Sequence, residues 1–261
     1  MLSARQQTIV QLARDNGFVM IETLAEQLQV TTQTIRRDIG ALCDAGVLTR
    51  FHGGASYRSS VANVPYEARR DTLSTEKEAI AQAVAAEIAD ASSVFIDIGT
   101  TAETVARALV GKRDLRIVTN NLNVVSIFAG KDDVDITVSC GQIRQRDLAI
   151  LGDASAEFVE RFQLDFSILG VVSITAGGDI LDYSLGDARL TQAILGCGRR
   201  AFVVADHSKF GRPSIAKVAH VRHAHTLFTD RLPEGGAWKQ LSEWTRVVQA
   251  QPARSEARSA R

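Results

Sequence analysis

Residues Glu22–Ala55 read ETLAEQLQVTTQTIRRDIGALCDAGVLTRFHGGA, and their spacing sets the architecture of the amino-terminal part. Ile21, Leu24, Ala25 and Leu28 recur at the i, i+3, i+4, i+7 interval of one helical face. After a break at Gln29–Val30, Thr31 or Thr32 suits the cap of a further helix, because a short hydroxyl side chain accepts an otherwise unpaired first-turn N–H. In that helix Ile35, Ile39 and Leu42 form the inward face and Gly46 ends it. Val47–Phe51 has the apolar, β-branched character of a strand, and His52-Gly53-Gly54-Ala55 that of a tight turn before a second strand.

On the amino-terminal side, Ser3 followed three residues later by Gln6 is a capping-box pattern; Ile9, Leu12 and Ala13 give one apolar face and Gly17 a stop. Three short helices and a hairpin predict a winged helix-turn-helix over residues 1–57. With Ile35, Ile39 and Leu42 turned inward, Thr32, Gln33, Thr34, Arg36 and Arg37 are left on the outer face, where a recognition helix meets the major groove of double-stranded DNA. Glutamine can read adenine, arginine guanine, and threonine a thymine methyl or a phosphate. Arg50 and His52, on the wing, are placed to meet the flanking backbone or minor groove. An isolated Arg-Arg pair would equally suit a solvated helix face. Residues Met1–Arg58 hold six basic and five acidic side chains, so one module should bind weakly and a homo-oligomer, dimer or tetramer, is expected.

Downstream, Tyr57–Ala68 is polar, and residues 58–74 read as a linker. Thr75–Ala89 is an amphipathic helix. Strand-like runs then alternate with helical ones: Ser93–Ile98, Ala102–Leu109, Arg116–Val118, Leu122–Phe128, Asp135–Val138, and later Phe166–Val171 and Ala201–Ala205. That alternation predicts an α/β domain with a largely parallel sheet over residues 75–245. The end of the chain, QAQPARSEARSAR, is polar and aperiodic, so 246–261 reads as a disordered tail.

Two strand ends carry the chemistry of this second domain. Val94–Ile98 runs into Gly99-Thr100-Thr101 and then a helix. Glycine lets backbone N–H groups approach a ligand, the hydroxyls add donors, and the helix dipole favours an anion. The same residues also suit a plain strand-to-helix turn capped by threonine. Val118-Thr119 leads to Asn120 and Asn121, whose amides match the hydroxyls of a sugar or polyol, and which would also serve as helix caps. Lys209, after a third strand, can add a point charge to a phosphate or simply face solvent.

With thirty basic and thirty acidic residues the chain is neutral, so bulk charge gives no argument for nucleic acid. The amino terminus lacks the apolar segment of a signal peptide and no run reaches membrane-spanning length, which predicts a cytoplasmic protein with no membrane partner. Cys43, Cys140 and Cys197 lie far apart, arguing for reduced, partly buried thiols; no metal site and no cofactor are expected.

The Glu22–Ala55 stretch closely resembles the signature of the DeoR family of transcriptional regulators, in which a TIRRDL-type helix precedes a hydrophobic strand and HGGA. FIDIGTTAETVARAL, RIVTNNLNVV, ILGDASAEFVERFQLDFSILG and VVADHSKFGR resemble that family's effector domain. The resemblance implies a sensor similar in fold to ribose-5-phosphate isomerase, which binds a small phosphorylated metabolite and relieves repression. It favours glycerol 3-phosphate over a hexose or pentose phosphate. It implies that Gly99, Thr100, Thr101, Asn120, Asn121 and Lys209 surround the effector, and adds Asp97 and Arg144. The chain departs from the family pattern at Cys140-Gly141, usually Gly-Gly, and along Gly170–Thr175. The rival reading, a sugar-phosphate isomerase, would need Asp97, Asp182, Asp187 or Asp206 as base, and leaves the helix-turn-helix unexplained; no enzymatic activity is expected.

Overall fold

The computed structural model of the chain describes residues 2–16, 18–51, 53–57 and 66–252. It falls into two compact units, one up to Thr72 and the other beginning at Leu73.

The first unit holds α1 (Ala4–Asn16), β1 (Phe18–Met20), α2 (Ile21–Gln27), α3 (Thr32–Asp44), β2 (Leu48–Phe51), β3 (Gly54–Tyr57) and α4 (Tyr66–Asp71). The capping box forms: Ser3 N–H donates to Gln6 Oε1 (3.0 Å) and Gln6 N–H to Ser3 Oγ (3.2 Å). Thr31, not Thr32, caps α3, its Oγ1 accepting from Thr34 N–H. Ile9, Ala13, Leu24, Ile35, Ile39 and Leu42 close one core. A strand the periodicity does not reveal, β1, pairs with β3 (Phe18↔Ser56, Met20↔Gly54), giving a sheet of order β1-β3-β2. Three residues are too few to show alternation; tertiary pairing makes them a strand. Gly54 is needed there, since a Cβ would lie 2.2 Å from the Val19 carbonyl oxygen. Gly17 and His52 lie outside the described residues, as do residues 58–65 of the expected linker. The rest of that linker is not featureless, because α4 occupies Tyr66–Asp71.

The second unit holds α5 (Ser74–Glu87), β4 (Ser93–Ile96), α6 (Thr100–Leu109), β5 (Leu115–Thr119), α7 (Leu122–Ile127), β6 (Val134–Val138), β7 (Gln142–Arg144), β8 (Ala149–Leu151), α8 (Asp153–Val159), β9 (Leu164–Gly170) and β10 (Ser173–Ile174). It continues with β11 (Asp179–Asp182), α9 (Leu185–Cys197), β12 (Gly198–Val204), β13 (Ala216–His220), β14 (Thr226–Thr229), α10 (Gly236–Lys239), α11 (Leu241–Trp244) and β15 (Arg246–Gln249). Seven strands form one sheet, order β15-β14-β12-β9-β4-β5-β6, with every pair parallel. Covered on both faces, its central strands are continuous apolar runs such as Val94–Ile96 and Phe202–Val204, all essentially buried. From β4 the chain builds β5 and β6 outward on one side, then returns to lay β9, β12, β14 and β15 on the other. The strand order reverses between β4 and β9, and in such sheets ligands usually lie beyond the carboxyl ends of the strands at that point. A hairpin, β7-β8, and a small antiparallel sheet, β10-β11-β13, complete the unit.

The expected tail begins too early. Arg246–Gln249 is the edge strand β15, parallel to β14 from Thr226↔Arg246 to Thr229↔Gln249. Only Val247 and Val248 mark it in sequence; residues 253–261 lie outside the described residues. The thiols also differ from expectation in one respect, since Cys140 is exposed. Burial pushes the Cys197 thiol up to about 12, which leaves it inert as a nucleophile.

Candidate functional site

In the first unit the candidate DNA-facing surface is the outer side of α3. Gln33, Arg36 and Arg37 are exposed, and Thr32 and Thr34 half-buried. The helix cannot roll to hide them, because its opposite side carries fully buried Ile35 and Ile39 and the buried Asp38. Asp38 accepts from Arg5 Nε and from Gln6 Nε2 (3.3 Å), which ties α1 to α3. Thr34 Oγ1 lies 2.9 Å from Thr31 Oγ1, so its hydroxyl is engaged at the cap. Arg50 is exposed on the wing but lies along α3, its Nη2 donating to the Arg36 carbonyl at 3.4 Å. His52 is outside the described residues.

In the second unit, six of the eight effector residues expected from sequence, Asp97, Gly99, Thr100, Thr101, Asn120 and Asn121, follow directly on β4 and β5. Gly99 is the N-cap of α6 with φ +113° and ψ 150°, a region that residues with a side chain rarely adopt, and being glycine it supplies no side-chain cap. Thr100 and Thr101 are buried there. Asn120 Nδ2 donates to Asp97 Oδ1 (2.9 Å), and Asn121 Nδ2 to Glu103 Oε1 (3.1 Å). Those bonds join the two strand ends. The Asn120 Oδ1 is buried and finds no hydrogen-bond partner among the described residues. Asn121 also caps α7 through Asn123 N–H, so the capping and network roles coexist.

Arg144 sits on the β7-β8 hairpin, which abuts the same end of β5: Ile150 N–H donates to the Asn120 carbonyl (2.7 Å). Its guanidinium forks onto Asp147 through Nε and Nη2, each at 2.8 Å, so its charge is matched within the hairpin. Lys209 closes the short 3-10 turn His207–Lys209 after β12. It acts on the buried Asp206: burial alone would push that carboxyl up, but Lys209, the Ser208 hydroxyl and amide, and Lys77 outweigh it and hold the carboxyl below its usual range. His207 is oriented by Asp230, which accepts from its backbone N–H (2.7 Å) and meets its Nδ1 at 2.6 Å.

Sequence reasoning missed Glu103, Asn123, Asp147 and Lys77. Glu103 is fully buried and receives both Asn121 and Asn123 amides. Its position, four residues after Gly99 on α6, was the available signal: a charge on the inward face of a helix. Of the carboxylates weighed for an isomerase, the three that are described are each engaged in a local hydrogen bond. Asp97 is held by Asn120, Asp206 by the Ser208 turn, and Asp182 accepts from Tyr183 N–H; the Asp187 side chain is outside what is described. Among the described residues no group of three His, Cys, Asp or Glu side chains is arranged to hold a metal, and no helix is long and apolar enough to cross a membrane.

Comparison with known proteins gives two family matches: a DeoR-like helix-turn-helix domain over residues 5–61 and a DeoR C terminal sensor domain over residues 72–231. The chain is 40% identical over 239 residues to the glycerol-3-phosphate regulon repressor of Escherichia coli (strain K12), spanning 92% of this chain and 95% of that one. It is 42% identical over 233 residues to the protein of that name from Haemophilus influenzae, spanning 89% and 91%. Among solved structures, ribose 5-phosphate isomerase A from Neisseria gonorrhoeae overlays on 51% of this chain and 52% of its own, with a TM-score of 0.35 and 15% identity.

Proposed function

The chain belongs to the DeoR family of transcriptional repressors, and on that premise we propose that it binds operator DNA through α3 and releases it when a small phosphorylated metabolite occupies the carboxyl edge of the sensor sheet. Glycerol 3-phosphate is the effector we favour, on the names of the two relatives. The observation that carries the sensor reading is the junction of β4 with β5. The first turn of α6, which follows Gly99, turns its N–H groups and dipole toward an anion, while the amides of Asn120 and Asn121 offer polar groups for hydroxyls. Asp97 and Glu103 support this arrangement by holding those amides. On the DNA side, Gln33, Arg36 and Arg37 read bases or phosphates, with Thr32, Thr34, Arg50 and His52 flanking them.

The protein works as a homo-oligomer in the cytoplasm, pairing weak modules on repeated half-sites, and no reaction step belongs to this reading. Effector and operator binding are reciprocally coupled: whatever factor the metabolite takes from DNA affinity, DNA takes from metabolite affinity. The experiment is fluorescence anisotropy on a duplex selected from random sequence by the protein itself. Glycerol 3-phosphate, glycerol, fructose 1-phosphate, ribose 5-phosphate and inorganic phosphate are added in turn, with thermal melting in parallel. Glycerol 3-phosphate is expected to lower DNA affinity and to stabilise the fold by about 2.7 kcal/mol at a hundredfold excess over its dissociation constant. Equal DNA affinity with every ligand would overturn the proposal; a response to another sugar phosphate alone would replace the effector.

A further inference from the structure

The buried side of a helix is expected to be apolar, and α3 departs from that at one position. Its inward stripe is Ile35, Asp38, Ile39 and Leu42, at i, i+3, i+4 and i+7. Asp38 is 7% exposed. A carboxylate is seldom buried unless it is paired, and the partners of Asp38 among the described residues, Arg5 and Gln6, both lie on α1. Arg5 Nε donates to one carboxylate oxygen and Gln6 Nε2 to the other, at 3.3 Å. Gln6 Oε1 in turn accepts from Ser3 N–H (3.0 Å), so the cap of α1 and the ion pair form one chain of bonds. Arg5, Ile9 and Ala13 follow one another at intervals of four along α1, and Ile9 and Ala13 join Ile35, Ile39 and Leu42 in the core. The packing of α1 on α3 is thus apolar, with an ionic pair where α1 begins.

Such a pair adds little stability over apolar residues of similar volume, because the cost of removing both charges from water offsets their attraction. What it adds is direction. Apolar contacts are non-directional, so a helix held by them alone can roll at little cost, whereas bonds to both oxygens of one carboxylate fix the rotation of α3 about its axis. Arg37 is the neighbour of Asp38 in sequence, and Thr34 lies one turn before it. A side-chain head about 5–6 Å from the helix axis moves about 2 Å when the helix rolls by about 20°, more than a hydrogen bond to a base edge tolerates. Phosphates run the length of the duplex and carry no sequence information directly, so contacts to them survive that movement.

We infer that Arg5 and Asp38 are positioning residues for sequence discrimination: their buried pair sets the rotation of α3 from α1, and with it the ability of the helix to separate operator from other DNA. Neither residue touches the duplex in this role. The inference rests on the reading of α3 as the recognition helix.

The test is fluorescence anisotropy on the full chain with two duplexes of equal length, one selected from random sequence by the protein itself and one unrelated; the ratio of the two affinities measures discrimination. Arg5→Met alone would strand a buried carboxylate, so the apolar exchange is made at both positions, Arg5→Met with Asp38→Leu. That double variant is expected to bind the unrelated duplex within about threefold of the parent, with the same salt dependence, and to lose at least about tenfold in discrimination, the scale of one misread base pair. A parental ratio would overturn the inference. So would an equal loss on both duplexes, or a salt slope lower by about one, which would make Arg5 a phosphate contact. If the double variant does not fold, Asp38→Asn and Asp38→Ala replace it. The asparagine keeps an oxygen for Arg5 and should hold discrimination within about threefold, while the alanine should lose at least about tenfold; equal ratios in the two would overturn the inference. Arg37→Ala, run alongside, tests α3 itself. Parental discrimination in that variant would bring down the recognition-helix reading and this inference with it. Lost discrimination there, beside a parental ratio in the double variant, would remove the inference alone.

Discussion

The outer face of α3 and the carboxyl edge of the sensor sheet, the two surfaces we propose for charged partners, are both polar yet built in opposite ways. On α3 the polar residues Gln33, Arg36 and Arg37 stand in solvent, carried by an apolar stripe buried beneath them. At the sheet edge Asp97, Thr100, Thr101, Glu103, Asn120 and Asn121 are all buried, and amide–carboxylate bonds tie the two strand ends together. DNA is large and brings its own charge, so long exposed side chains on a rigid helix suffice. A metabolite is small, so its site must be preorganised and shielded to gain affinity from few contacts.

That contrast can be broken in order of effect. Arg37→Ala is expected to weaken operator binding about a hundredfold, from a loss of about 1–3 kcal/mol per module, with the melting response to glycerol 3-phosphate retained; anisotropy and thermal melting read the two halves separately. Thr100→Val with Thr101→Val should do the reverse, leaving a repressor that binds operator within about threefold of the parent but needs about thirtyfold more effector for release, roughly 2 kcal/mol as two hydroxyl donors are lost. Normal release by that variant would remove the threonines from the site. Gly99→Ala forces a side chain into φ +113° and should cost about 1–3 kcal/mol, seen as a lower melting temperature together with a poorer effector response.

The smallest effect concerns pH. Asp206 is held below its ordinary 3.8 in the folded state, so it adds stability above that value and loses it as pH falls through the lower, native one. Asp206→Asn cannot titrate. Its melting temperature should therefore fall less than the parent's as the pH is lowered from about 5 into the acid range. A parallel decline in both proteins would show that Asp206 does not carry this acid sensitivity.

The helix-turn-helix was legible almost residue by residue. Its signals are local: a Ser3–Gln6 capping box, a Thr31 cap, and a buried Ile35–Ile39–Leu42 stripe, each set by neighbours within one or two turns. Its one surprise, β1, exists only by pairing with β3 across the unit. In the sensor the alternation of strands and helices was legible too, and so were the glycine and asparagine turns. The edge strand β15 was not, since two valines between polar residues look the same in a tail as in a strand.

What the sequence determined by itself was therefore the pattern of each element and the side chains at its ends, because period, capping and turn chemistry act over a few residues. The tertiary structure alone decided which ends meet. The parallel order β15-β14-β12-β9-β4-β5-β6 sets Asn120 against Asp97, 23 residues apart. It also brings Lys77 and Asp206, separated by far more chain, into one electrostatic environment. A buried charge such as Lys77 or Glu103 looks in sequence like any solvated helix residue. Only the packing around it removes the water, and with it the screening that would have made that charge unimportant.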